Sequence, residues 1–220
     1  RELTSLINLK EIPIVHLASS VILLSHPKLD FANGVRTGIL SYGYNVAPNY
    51  SNSSIKDKLR NIRNRYSQRK YSLSKLIYDA EIDVKPAMSM TTSILQIKEV
   101  KKGECVGHGA TCQTEEDIKI AVLPIGYNNG LGRRNVGRYV TINGKRYYAV
   151  GEIAMNMMVI KVDDSVKLSD TVYILGGGIT LGALSRFEGN SISKTLLDIG
   201  KNNKRIYIKN NQTVFEEGTR

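Results

Sequence analysis

The pattern of apolar and polar positions changes character near residue 82. Beyond it, short runs of alternating or β-branched residues recur between turn residues. Met88 to Val100, Ile118 to Ile125, Arg138 to Ile142, Arg146 to Val150, Glu152 to Val162 and Thr171 to Leu175 each predict a strand. Asn143-Gly144 separates two of these runs, and that dipeptide predicts a two-residue hairpin turn. Ile179 to Glu188 and Ser191 to Ile199 carry helical spacing, ahead of a last strand at Arg205 to Ile208. Many short strands joined by turns predict a small barrel or sandwich.

The region before residue 82 is different. Ile12 to Leu17 is a short β-branched strand candidate, Ser19 to Leu24 a helical turn before Pro27, and Val35 to Tyr44 a second strand. Two strands cannot bury both faces of a parallel sheet. Residues 1–48 are therefore expected to be the remnant of a larger α/β unit, or to pack on a partner. Between 49 and 81, Ile55, Leu59, Ile62 and Tyr66 recur at helical spacing with arginines among them, which predicts a partly helical, cationic insertion. The expected organisation is thus 1–48, 49–81 and 82–220.

Composition adds limits. Hydrophobic residues make up 41% and charged residues 23% of 220 residues, the profile of a globular protein. Tyrosine supplies most large rings, with 12 Tyr against 3 Phe and no Trp. Cys105 and Cys112 match no zinc or redox spacing and imply no disulfide framework, so reduced thiols in a cytoplasmic protein are expected. The longest apolar run, Ile12 to Leu24, is too short to span a bilayer. The chain opens on Arg1-Glu2, without Met, as a fragment or processed chain would. Net charge is +11, and most of the excess lies between Lys56 and Lys75, where eight basic residues face the single acid Asp57. Residues 55–75 offer contact with an anionic surface, but no nucleic-acid module accompanies them, and a solvated face explains the same charges.

Several short segments carry candidate chemistry. His16 and Ser20 follow an apolar strand, where α/β barrels place their site residues. Arg36-Thr37-Gly38-Ile39 combines a permanent cation with a glycine that lets backbone amides approach an anion. Val106-Gly107-His108-Gly109-Ala110-Thr111-Cys112, Leu123-Pro124-Ile125-Gly126-Tyr127 and Gly151-Glu152-Ile153-Ala154-Met155-Asn156 then follow in order. Taken singly, each is ordinary: His16 reads as a core residue, Arg36 as a surface cation, Met155 as strand packing.

Taken in order, these motifs resemble the alanine racemases, enzymes that use pyridoxal phosphate (PLP). The resemblance covers roughly residues 12–44 and 84–208. It implies a mainly β fold: a C-terminal, β-barrel-like domain of alanine racemase type, preceded by a truncated piece of a TIM-type α/β barrel. It also implies cofactor contacts from His16, Ser20, Arg36, Gly38 and Ile39, with Arg36 on the pyridine nitrogen and the Gly38-Ile39 amides on the phosphate. Tyr127 falls at a position lining the family's substrate channel, and Met155 at one whose amide meets the substrate carboxylate. Counting back from Arg205-Ile206-Tyr207 puts Ser193 at the position of a phosphate-binding Tyr.

The departures are equally specific. Ser19 stands where the family has Asn, Asn156 where it has Asp, and His108 where it has the catalytic Tyr that acts as one of two bases. No residue here matches the PLP-binding Lys, which the family carries on an earlier barrel strand. The resemblance therefore implies the C-terminal portion of a PLP-dependent alanine or serine racemase, homodimeric, supplying the second base position at a dimer interface and incomplete as a catalyst alone. The alternative is a catalytically diverged or inactive domain that serves dimerisation or partner binding.

Overall fold

A computed structural model describes residues 8, 11–20, 23, 32–44, 84–133, 135, 137–199 and 201–218. The chain divides into two compact units, Arg1–Ala87 and Met88–Arg220. The cationic helix expected within 49–81 lies outside the described residues, as does most of the helical turn expected after Ser19.

In the first unit, β1 (His16–Ser19) pairs in parallel with β2 (Gly34–Arg36), in the register His16 to Gly34 and Ser19 to Arg36. Parallel partners need a crossover between them, the hallmark of an α/β unit. The second strand is much shorter than the run Val35 to Tyr44 predicts. Ile39–Tyr42 instead coils into a 3-10 turn closed by Gly43 in the left-handed region, φ 75°. A Cβ on Gly43 would meet the Lys85 carbonyl oxygen, so only glycine fits where this turn closes. Asn33 secures the other end, accepting from the Val15 amide at 2.7 Å and donating to the Pro13 carbonyl at 3.0 Å.

The second unit is mainly β, as the sequence predicts. Strands β3 (Met90–Thr92) and β4 (Gln96–Val100) divide the run expected to be one. A short pair, β5 (Cys105–Val106) and β6 (Cys112–Gln113), follows, then β7 (Ile118–Leu123). The Asn143-Gly144 turn joins β8 (Tyr139–Ile142) to β9 (Lys145–Tyr148), with φ of 50° and 80° at its two residues, the mirror-image turn that suits twisted strands. β10 (Met158–Val162) and β11 (Val172–Leu175) complete the core. Residues 152–157, expected at the start of a strand, form a loop instead.

These strands assemble as one antiparallel sheet of order β10-β7-β4 and another of order β3-β11-β8-β9. A bridge between Ala149 and Ile160 links them. The free edges, β3 and β4, are consecutive in the chain, and no ladder joins them among the described residues. Ile120, Leu123, Val140, Ile142, Met158, Ile160 and Leu175 are all at most 2% exposed and form the interior.

Helix α1 (Leu181–Glu188) starts where the Thr180 hydroxyl accepts from the Ala183 amide at 3.1 Å, and ends at left-handed Gly189. Leu181, Leu184 and Ser185 recur on its buried face. Helix α2 (Ile192–Ile199) buries Thr195, Leu196 and Ile199. A terminal hairpin, β12 (Arg205–Lys209) and β13 (Gln212–Glu217), is exposed throughout, and its second strand lies beyond those the pattern predicts.

Candidate functional site

Each unit carries part of the expected site. In the first, Ser20 directly follows β1 and is buried, at 6% exposure. Its Oγ accepts from the Gly38 amide at 3.0 Å. The parallel register puts Arg36 opposite Ser19, so the loop that contains Gly38 begins beside Ser20. A Cβ on Gly38 would meet nothing within 4 Å, so open space lies over this peptide. A hydroxyl, an amide and open space at the end of a parallel pair form a corner suited to an oxyanion. Arg36 and His16 are both exposed. The parallel pair thus brings Ser20 and Gly38 together, with His16 and Arg36 on the same two strands.

In the second unit, the segment Gly151–Met155 acts as a spine on which two turns dock. The first turn carries His108. Its backbone amide donates to the Glu152 carbonyl at 3.2 Å, and Thr111 Oγ1 donates to the His108 carbonyl at 3.1 Å. The same hydroxyl accepts from the Glu152 amide at 3.1 Å. Glycine is required on both sides of this contact: a Cβ on Gly107 would lie 2.7 Å from the Gly151 Cα, and both residues have positive φ.

The second turn carries Tyr127. The Tyr127 amide donates to the Ala154 carbonyl at 3.1 Å, and the Asn128 amide to the Met155 carbonyl at 2.9 Å. A Cβ on Gly126 would fall 2.2 Å from the Ala154 carbonyl oxygen, so only glycine lets the turn approach this closely. His108, Tyr127 and Met155, far apart in sequence, are thereby brought to one backbone seam. Their side chains stay accessible: Tyr127 is 41% and Met155 50% exposed. Asn156 is exposed beside them, and Arg133 pairs with the Glu152 carboxylate at 3.0 Å.

An open cleft of about 410 Å³ adjoins Tyr127, lined also by Asn128, Leu131, Glu188, Asp198 and Asn202. Glu188 belongs to a buried ion pair that sequence reasoning passes over. Arg138 Nη2 donates to Glu188 Oε1 at 2.7 Å, the two side chains being 2% and 3% exposed, while Glu188 Oε2 accepts from the Gly132 amide. The Arg138 guanidinium also sits 5.6 Å from the Phe187 ring centre. Nothing in the spacing of Arg138 and Glu188 marks them as partners. Ser193 lies exposed on α2. Among the described residues, no cluster of His, Cys, Asp or Glu could hold a metal ion, and no helix is long and apolar enough to cross a membrane.

The chain is similar to known alanine racemases. An alanine racemase of Staphylococcus epidermidis is 28% identical over 192 residues, 85% of this chain and 44% of that protein. One from Clostridium perfringens is 30% identical over 210 residues, 92% of this chain and 47% of that protein. Among solved structures, the Bacillus anthracis alanine racemase with bound L-Ala-P superposes with a TM-score of 0.73 at 27% identity, covering 99% of this chain and 51% of that one. The Clostridium difficile alanine racemase in complex with cycloserine gives 0.70 at 26% identity, covering 92% and 48%. The chain thus spans about half the length of the proteins it matches. Residues 87–207 match the family described as alanine racemase, C-terminal domain, and the chain belongs to that family.

Proposed function

We propose that the complete polypeptide carrying this chain is a PLP-dependent racemase of a small amino acid, alanine or serine, and that this chain supplies the second-base and carboxylate-binding side of its site. The docking of the His108 and Tyr127 turns on the Gly151–Met155 segment carries this reading, because it assembles three expected substrate-side residues on one seam.

Bound PLP supplies an electron sink for the pair left at Cα when the substrate loses its proton. The residues of this chain do the rest. Ser20 Oγ and the Ile39 amide would hold the phosphate, Gly38 would let it approach the backbone, and His16 would stand near the ring. Arg36 would donate to the pyridine nitrogen and, remaining charged, keep that nitrogen unprotonated. The Met155 amide would orient the substrate carboxylate, and Tyr127 would border its path. Racemisation needs a base on each face of Cα. An imidazole at His108 would take or return the proton on one face. In a homodimer of the kind the resemblance implies, His108 would be presented to the partner's cofactor.

The test is direct. The complete polypeptide, purified with PLP, should show a cofactor absorbance band and racemise alanine or serine. Protein with neither property defeats the reading.

One observation favours a second reading, a diverged domain kept for dimerisation. His108 and Asn156 replace two residues the family uses at this seam. Imidazole is shorter than phenol, and small displacements of a base cost rate heavily. His108→Tyr separates the two. A large gain in turnover marks a decayed enzyme, and a loss shows that His108 already works.

A further inference from the structure

Two asparagine pairs, Asn128-Asn129 and Asn202-Asn203, meet across a seam. Asn203 Nδ2 donates to the carbonyls of Ile199 at 2.8 Å, Lys201 at 2.8 Å and Asn129 at 3.0 Å. Its Oδ1 accepts from Asn129 Nδ2 at 3.0 Å, and the same Nδ2 lies 3.3 Å from the Asn202 carbonyl. Asn129 Oδ1 turns back to accept from the Gly126 amide at 3.0 Å. Asn202 Nδ2 donates to both the carbonyl and Oδ1 of Asn128, at 3.1 and 3.2 Å. Gly130 completes the contact, since a Cβ there would lie 2.2 Å from the Asp198 carbonyl oxygen.

The chemistry of the carboxamide explains why asparagine recurs here. The end of α2 and the Tyr127 turn both present carbonyl oxygens, and two acceptors cannot bond each other. A carboxamide donates and accepts at once, so one residue ties both segments together, which a carboxylate cannot do. The Tyr127 turn is consequently gripped from two sides: its amides by Ala154 and Met155, its carbonyls by the asparagines that follow α2.

We propose that Asn129, Asn202 and Asn203 are positioning residues for the amino-acid substrate. They hold the Tyr127 turn to the end of α2, and thereby set where the Tyr127 ring stands on the substrate's path. The proposal rests on the racemase reading above. It adds that access and binding, rather than proton transfer, depend on this seam. Releasing the asparagine grip leaves the Met155 grip in place, so Tyr127 shifts while the His108 turn does not.

Asn202→Gly is the variant of choice. Asn202 has φ 52°, a left-handed conformation that glycine adopts freely, so the backbone is kept while both donations to Asn128 are lost. In the complete polypeptide, amides of residues 126–130 should exchange with solvent about tenfold faster, with β7 and β8 unchanged. KM for the amino acid should rise about threefold to tenfold while kcat stays within about twofold. Asn203→Asp, which retains an acceptor for Asn129 and loses the Nδ2 donor shared among three carbonyls, should shift KM in the same direction. An active wild type whose variants keep their KM, or lose kcat and KM together with global stability, overturns the positioning role alone. A wild type that racemises neither alanine nor serine overturns the racemase reading, and the substrate role with it.

Discussion

Gly107 and Gly151 meet backbone to backbone: a Cβ on Gly107 would fall 2.7 Å from the Gly151 Cα, and one on Gly151 would fall 2.6 Å from the Val106 carbonyl oxygen. Each residue also has positive φ, 89° and 69°. Gly107→Ala therefore adds a clash to left-handed strain and should cost about 1–3 kcal/mol. The strain should appear next door as well, because the His108 amide bonds to Glu152 across this contact. Thermal unfolding measures the first effect, and amide chemical shifts of residues 107–112 and 151–153 the second. An alanine variant with wild-type stability and unmoved shifts would show that the contact tolerates a methyl.

Ser20 makes a comparable claim for the first unit. Its hydroxyl is buried and engaged by the Gly38 amide. Ser20→Ala leaves that amide without its partner and, on the proposed reading, removes a donor for the phosphate. The complete polypeptide should then bind PLP about tenfold more weakly, the loss of one hydrogen bond worth about 1.4 kcal/mol. Titration of the apoprotein with PLP, followed by absorbance, gives the affinity. Unchanged affinity would remove Ser20 from the phosphate site.

The buried Arg138–Glu188 pair should be unforgiving. Glu188→Ala strands a guanidinium that is 2% exposed and also deprives the Gly132 amide of its acceptor. Removing one partner of a buried ion pair costs about 3–5 kcal/mol. Urea denaturation should report a loss in that range, whereas Lys201→Ala, on the exposed rim of the same cleft, should change stability by less than about 0.5 kcal/mol.

Acid should act through Asp163. Its carboxyl is lowered from 3.8 to about 2, first by the Ser165 hydroxyl and then by the Ser165 amide, with Lys145 adding charge. Because the folded value lies below the unfolded one, this group supports the folded state fully above about pH 4. That support fades as pH falls through about 2. NMR titration of Asp163 should find its midpoint near the lower value, and Ser165→Ala should move it back up. A midpoint at the ordinary aspartate value in both proteins would show that the serine does not hold the carboxylate.

The strands were legible because short apolar and β-branched runs between turn residues advertise themselves locally. Val140 and Ile142 pack inward, Asn143-Gly144 accepts the left-handed turn, and Leu181, Leu184 and Ser185 repeat with helical period. Where the pattern misled, longer-range contact was the cause. Val35 to Tyr44 has strand-like residues, yet the strand ends at Arg36 and the chain coils into a turn whose capping Gly43 lies against the Lys85 backbone. The candidate site residues were legible only as an ordered set of motifs, since neither His108 nor Met155 stands out alone.

Composition and local pattern by themselves determined the β texture, the hairpin, the two helices and the candidate motifs, because these depend on neighbours within a few residues. Only tertiary structure decided that Gly126, Gly107 and Gly151 are points of backbone contact, that Arg138 finds Glu188, and that Asn129 finds Asn203. Such pairings join residues tens of positions apart. Their free energy comes from burial, close approach and hydrogen-bond geometry, which exist only once the sheets have packed.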